Sequence, residues 1–287
     1  MADSEDNLQN DRFSIKKTIK VFSDQLNPAN RFVSVPASTI NRPHRHPTNL
    51  DAQSIKVLSW NINKNNHSAS WIADFQTIVS QHNPDKIFLQ EVQLCAASEE
   101  LPVLATMGWS FAPNFIDRLK NVYSGVLIAT KDNHINAKAI ITQHSEPVTN
   151  TPKVSLFAEY SLAAGQETLL AVNTHLINFV ELSKFQSQLE EVETALSQHS
   201  GKIILSGDFN TWNRARWKML SQMATRLGLK AVSFSTEDTV KIKSFLLSPP
   251  LDYIFYRGLY QKPLSAKVLD KFSSSDHNPL LVEFCTQ

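Results

Sequence analysis

From residue 55 onward the chain repeats one pattern: an apolar run of strand length that stops abruptly on acids, amides or imidazoles. IKVLSWNI (55–62) carries Asn61 with Asn63 just beyond it, and KIFLQEV (86–92) carries Glu91. TLLAVNTHL (168–176) ends at His175 with Asn178 following, and KIILSGDFN (202–210) ends at Asp208 and Asn210. LDYIFY (251–256) opens on Asp252, and PLLVEF (279–284) is preceded by Asp276 and His277. Buried strands have no packing use for such groups. They belong where strands emerge at the rim of a cleft, so the chain must fold into sheets whose strand ends converge.

The stretches between these runs set the fold class. Trp71, Ile72, Phe75, Ile78 and Val79 recur at helical spacing behind Ser68 or Ser70 as N-cap, so residues 55–92 read strand, helix, strand, with the two strands parallel neighbours. VYSGVLIAT (122–130), VSLFAEYSL (154–162) and residues 168–176 follow without long helices and read as an antiparallel meander. Leu182, Phe185, Leu189, Val192 and Leu196 predict a helix closed by Gly201; Trp217, Leu220, Met223 and Leu227 predict another closed by Gly228. A strand at LSAKVL (264–269) completes an α/β (α+β) arrangement, with helices outside two mixed sheets. Residues 1–51 are polar and contain Pro28, Pro36, Pro43 and Pro47, which reads as an extension, loosely packed or disordered, ahead of one folded domain over 52–287. Within it, RFSIKKTIKVF (12–22) is a basic amphipathic segment and a weak candidate for membrane-surface contact, a solvated tail being the plainer reading.

Charge narrows the partners. Lys plus Arg (28) nearly equal Asp plus Glu (27), without the basic excess of a dedicated duplex-DNA binder. Cys95 and Cys285 stand far apart, which excludes a structural zinc site built of cysteines. No apolar stretch approaches the ~20 residues that span a bilayer. The opening MADSEDN is not a secretory signal, so a cytoplasmic location is expected, with signal-independent export left open.

A lone acid at a strand end is usually a turn residue, and a lone histidine usually structural. Acids, amides and two histidines at successive strand ends point instead to phosphoester hydrolysis. Mg²⁺ takes oxygen ligands and few carboxylates, which Glu91 and the Asn61 amide provide. Asp208 is suited to deprotonate a water that Asn210 helps orient, and His277 held by Asp252, with His175 as a second donor, can meet developing phosphate charge. In WNRARWK (212–218), Arg214 or, less readily, Arg216 offers a clamp for a second phosphate, and Trp212 a surface for stacking.

The ordered set WNIN, LQE, NTHL, GDFN, LDY and SDHNP resembles the endonuclease/exonuclease/phosphatase superfamily, whose fold is that of pancreatic deoxyribonuclease, over residues 55–284. NTHLINF, GDFNTWNRARW, LDYIFYRGL and SDHNPLLVEF are further similar to its bacterial YafD-like branch. The resemblance implies a four-layer α-β-β-α sandwich, DNase I-like, with the cleft at one edge. It implies Glu91 as principal metal ligand, supported by Asn61 and Asp276, for Mg²⁺ with Mn²⁺ as substitute. Asp208 and Asn210 would handle the nucleophile, Asp252 would orient His277, and Asn178 would contact phosphate. Asn63 stands where some nucleases of the superfamily have a metal-associated Asp. His175 matches the deoxyribonuclease and sphingomyelinase branches rather than the abasic-site nucleases, which have Tyr there. The activity implied is phosphodiester hydrolysis, nuclease first, on a phosphate-containing substrate such as nucleic acid. A lipid or small-molecule phosphodiesterase or phosphatase, or a silent interaction module on the same fold, are the alternatives.

Overall fold

The computed structural model describes residues 28–48, 50–162 and 167–286. A single turn, α1 (Pro28–Arg31), leads into β1 (Phe32–Ser34) and β2 (Ile40–Arg42). Next come β3 (Ile55–Asn61), α2 (Ala69–His82) and β4 (Lys86–Cys95), the expected crossover with parallel strands. β5 (Gly108–Asp117), β6 (Val122–Thr130), β7 (His134–Ser145), β8 (Pro152–Ser161) and β9 (Thr168–His175) follow. Then α3 (Leu182–Ser197), β10 (Lys202–Asp208), α4 (Arg214–Arg226), β11 (Lys230–Ala231) and α5 (Thr236–Thr239) precede four closing strands: β12 (Asp252–Arg257), β13 (Tyr260–Gln261), β14 (Lys267–Val268) and β15 (Leu280–Cys285).

These strands form two mixed sheets. The first has nine strands in the order β1-β5-β6-β4-β3-β15-β13, with β2 also on β5 and β14 on β15; the second has six, ordered β11-β12-β10-β9-β8-β7. Three apolar layers hold the stack. Val57, Phe88, Val126, Leu156, Leu169, Ile204 and Ile254 fill the space between the sheets. Trp71, Phe75 and Ile78 of α2 cover the outer face of the first sheet against Leu58, Trp60 and Leu89. Phe185, Leu189 and Val192 of α3, with Leu220 and Met223 of α4, cover the second against Val172, Leu205 and Phe255. The four layers are those expected.

Polar groups also tie the sheets together. From β9, Asn173 Nδ2 donates to the Leu89 carbonyl at 2.8 Å and the Leu127 carbonyl at 2.7 Å on the opposite sheet, and its Oδ1 accepts from Gln90 Nε2 at 2.7 Å. All of these groups are buried, where unpaired polar atoms are costly. β9 and β10 approach so closely that a Cβ on Gly207 would lie 1.8 Å from the Thr174 carbonyl oxygen, and Gly207 has φ +153. Only glycine fits there.

Several expectations need correction. The run at 122–130 lies in the first sheet between β5 and β4, so the meander is β7-β8-β9. Strands β5 and β7 carry no clean apolar alternation, because Pro113 sits at a register shift in β5 and β7 is an edge strand. Ser68 caps α2, its hydroxyl accepting from the Trp71 amide at 3.2 Å. Gly228 follows α4 with φ +66 as expected, but α3 ends at Gln198 in right-handed geometry, ahead of Gly201. Part of the presumed loose extension is ordered: β1 and β2 pair with β5, and Arg31 grips Asp117 through two hydrogen bonds of 3.0 and 2.8 Å. The segment 12–22 lies outside the described residues. No helix among the described residues is long and apolar enough to cross a membrane.

Candidate active site

Strand register builds the first half of the site. At the end of the second sheet Asp208 of β10 is paired with His175 of β9 on one side and Asp252 of β12 on the other. Paired residues on neighbouring strands share a face, so three titratable side chains form one row. The Asp208 carboxylate stands 3.6 Å from His175 Nε2 and 3.9 Å from His277 Nε2. Asp208 Oδ1 accepts from the Asn210 amide N–H at 3.0 Å, and Asn210 Nδ2 donates to the Leu176 carbonyl at 2.8 Å. Asn210 has φ 49, a conformation that an amide side chain tolerates better than most.

The first sheet supplies the other half. Asn61, at the end of β3, donates through Nδ2 to Asp208 Oδ2 at 2.9 Å, and its Oδ1 accepts from the Asn63 amide at 3.0 Å. His277 is held by Trp60 Nε1, which donates to its carbonyl at 2.8 Å, and its Nδ1 lies 2.7 Å from Asp252 Oδ2. Glu91 is not at a strand end, as the sequence suggested. It sits in a bulge of β4 between Leu89 and Val92, with φ 58, and the strand continues to Cys95. An extra residue in a strand re-aims its side chain, here toward the cleft. Asn63 (φ 48), Lys64 (φ 60) and Phe179 (φ 54) line the same cleft in left-handed geometry, so backbone strain gathers here.

Burial and neighbouring charge set the protonation states. Burial pushes Asp208 well above the usual carboxylate range, reinforced by the charge of Asp252 and opposed by His277. For His277, burial pulls downward, but the charge and hydrogen bond of Asp252, with Asp208, raise it to about 9. Burial, then Lys153, hold His175 well below the ordinary imidazole value, so it is neutral at neutral pH. Burial would raise Glu91, yet the charges of Lys64 and Lys153 outweigh it and keep this carboxylate far below its usual range. A raised acid beside a protonated imidazole is an acid–base pair in the making.

Two groups of side chains have the composition of a cation site. Asp208, Asp252 and His277 place ligand atoms within 4.8 Å of one another. Their donors and acceptors already serve each other, however, through the Asp252–His277 bond and the Asn61–Asp208 bond. Glu91 and Asn61 fit better: an ionised carboxylate and an amide oxygen are hard donors of the kind Mg²⁺ and Mn²⁺ take. The Lys64 ammonium rests on Glu91, a cation already drawn to that carboxylate. Asp276 lines the cleft as well, but it is exposed and paired with Lys243 at 3.2 Å.

The remaining sequence candidates part company. Asn178 lines the cleft; its Oδ1 accepts from Trp212 Nε1 at 2.8 Å and from the Phe179 amide at 2.9 Å, leaving Nδ2 as the donor it can offer. Arg214 stands exposed at the start of α4 and does not line the cleft. Arg216, two residues on and therefore on the opposite helix face, is buried: its guanidinium donates to the carbonyls of Ile177 (2.9 Å), Asn210 (3.3 Å) and Val180 (2.8 Å). It clamps the site loops rather than a phosphate. Trp212 packs one ring face on that guanidinium at 4.9 Å, and Trp217, one of the residues that mark the helical spacing, is exposed. Sequence reasoning missed Lys64, Lys153 and Glu146, which line the cleft. Lone lysines carry no signal of their own, although Lys64 directly follows the WNIN motif.

Comparison with known proteins bears on the family and the fold. Residues 58–277 match the profile of the Endonuclease/Exonuclease/phosphatase family. A UPF0294 protein of Vibrio parahaemolyticus is 34% identical over 237 residues, 82% of this chain and 79% of the relative. A UPF0294 protein of Yersinia enterocolitica is 34% identical over 236 residues, 80% and 83% of the two chains. Among solved structures, the human Nocturnin catalytic domain with bound sulfate superposes with TM-score 0.62 at 17% identity, covering 88% of this chain and 98% of that one. An endonuclease/exonuclease/phosphatase from Bacteroides vulgatus gives TM-score 0.60 at 17% identity, covering 82% and 100%.

Proposed function

The chain belongs to the endonuclease/exonuclease/phosphatase family, and on that footing we propose that it hydrolyses a phosphodiester by attack of an activated water on phosphorus, with a divalent cation at Glu91 and Asn61. The observation that carries the reading is Asp208, a buried carboxylate of raised proton affinity set between two imidazoles.

Asp208 takes the proton of the attacking water. Asn61 Nδ2 and the Asn210 amide fix its two oxygens, so the carboxylate meets the water in one orientation. His277, protonated and aligned by Asp252, donates from Nε2 to a phosphoryl oxygen that gains charge as the new P–O bond forms and the leaving-group P–O bond breaks. His175, neutral beside Glu91 and Asp208, offers a second donor, and Asn178 offers its Nδ2 to another phosphoryl oxygen. The cation, when bound, would supply Lewis-acid stabilisation of that developing charge. Mg²⁺ is the ion this oxygen-donor set suits, with Mn²⁺ as substitute. The cleft has a volume of about 250 Å³, and a small recess of about 60 Å³ beside Glu91 is lined by Asn114, Ser124 and Thr151. The cleft accepts a substituted phosphate rather than a bare ion.

Asp208→Ala and His277→Ala are each expected to lower kcat on bis(p-nitrophenyl) phosphate about 10²- to 10⁴-fold, with circular dichroism unchanged. Full turnover by either folded variant would remove the mechanism.

A further inference from the structure

Next to the cleft the chain shows water an apolar tip. Residues 243–251 run out from the site and back: Leu251 N–H donates to the Lys243 carbonyl at 2.8 Å, and Ser244 bridges Pro250. At the far end the Ser248 N–H donates to the Phe245 carbonyl at 3.0 Å, while the Phe245 N–H donates to Ser248 Oγ at 2.8 Å. This closed turn holds Leu246 and Leu247 outward, 93% and 94% exposed, with Leu247 at φ 60. The base of the loop is tied to the catalytic strand: Thr211 Oγ1 donates to the Pro250 carbonyl at 2.6 Å, and the Phe209 N–H to the Leu251 carbonyl at 2.8 Å. Phe245 (51% exposed) and Phe179 (67% exposed) both line the cleft mouth. Single exposed leucines are ordinary, but a contiguous group held in strained geometry at a cleft marks a contact surface.

We propose that this loop is an interfacial anchor and that the cleft acts on the phosphodiester of a phospholipid lying in a membrane surface, an inference that rests on the phosphodiesterase reading above. A base could stack on Phe179 or Phe245, but Leu246 and Leu247 beyond them offer it no π-face, and no arginine lines the cleft among the described residues. Beside this apolar rim stand three lysines, Lys64, Lys153 and Lys243, each set against a carboxylate: Glu91, Glu146 and Asp276. Apolar side chains beside lysines suit the boundary between headgroups and acyl chains, the leucines entering the apolar layer while the ammonium groups stay at phosphate depth. The geometry serves that substrate. The inserted tip is continuous with Leu251 in the cleft wall and with Asp252, which orients His277, so docking brings a headgroup phosphate to the catalytic row.

The test uses the full chain and the variant Leu246→Asp/Leu247→Asp, neither residue being part of the cleft wall. Sedimentation with vesicles of equal parts phosphatidylcholine and phosphatidylglycerol, in EDTA, reads docking. Headgroup release from the same vesicles and turnover of bis(p-nitrophenyl) phosphate, both with Mg²⁺ or Mn²⁺, read catalysis. The wild type is expected to sediment with vesicles and hydrolyse them; the variant keeps turnover of the soluble diester and loses about tenfold or more in both vesicle readouts. Equal vesicle binding by the two proteins, or none by the wild type, overturns the anchor. Cleavage of a single-stranded oligonucleotide with vesicles left intact overturns the lipid substrate. Failure of both proteins to turn over the soluble diester counts against the phosphodiesterase reading and the lipid substrate with it, while sedimentation still decides the anchor.

Discussion

At the scale of single residues, the site depends on Asp252 holding His277 protonated. The sign of the pH dependence follows. The pair raises His277 to about 9, so the donor is present at neutral pH and is lost as pH climbs through that value. Its stabilisation of the fold has the same sign, complete below the ordinary imidazole pKa and lost through about 9. Asp208 works in the opposite sense: it must be ionised, and burial moves its titration upward, so the acid limb of the rate profile lies well above the usual carboxylate range. Asp252→Asn should pull the alkaline limb of kcat down toward the ordinary imidazole value, as a pH–rate profile on the soluble diester would reveal. An alkaline limb that does not move would show that Asp252 has no part in His277's proton affinity. Lys64 lends itself to a second test. Its ammonium shares the carboxylate assigned to the cation, so Lys64→Met should lower the Mg²⁺ concentration for half-maximal rate severalfold, and a rise would contradict the assignment of Glu91.

At the scale of elements, what could be read from the sequence tracks how much each segment buries. β3, β10 and α2 bury a face or more and declare themselves by apolar periodicity. β1 and β2 have three residues each, and β7 runs along an edge, so their pairing partners rather than their own side chains decide them. The polar habit of the strand ends was legible for His175, Asp208 and Asp252. That these three form a row was not, because register is set by long-range pairing. Nor was the bulge at Glu91, where two residues break the ladder between Leu89 and Val92. Arg216 shows the limit from the other side: its charge suggests a ligand contact, and only its place on the helix reveals a buried clamp. Asn173 bridges to the Leu89 carbonyl directly before that bulge, so it steadies Glu91 from beneath. Asn173→Leu removes three buried hydrogen bonds, to the Leu89 and Leu127 carbonyls and from the Gln90 amide, and should cost about 2–4 kcal/mol in urea unfolding. It should also weaken cation-dependent activity; unchanged stability would mean that the bridge contributes nothing.

At the scale of the whole molecule, the site exists only because two sheets meet. Asn61, Glu91 and His277 come from the first sheet or its approach, and His175, Asp208, Asn210 and Asp252 from the second. A cation bound at this seam favours the folded state, and at a concentration one hundred times its Kd it should raise Tm by about 4–5 °C for a chain of this size. Glu91→Ala should abolish that shift in a melting experiment with and without Mg²⁺. A full shift in the variant would place the ion elsewhere.

The order of the first sheet carries one more consequence. β3, which bears Asn61, is flanked by β4 and by β15, and β15 lies more than two hundred residues downstream. While a ribosome is still making the intervening stretch, one side of β3 offers bare amides and carbonyls to whatever strand passes, including that of a neighbouring nascent chain. Overproduction should therefore favour insoluble material formed during translation, relieved by slower synthesis or a co-translational chaperone. The finished molecule closes that side itself.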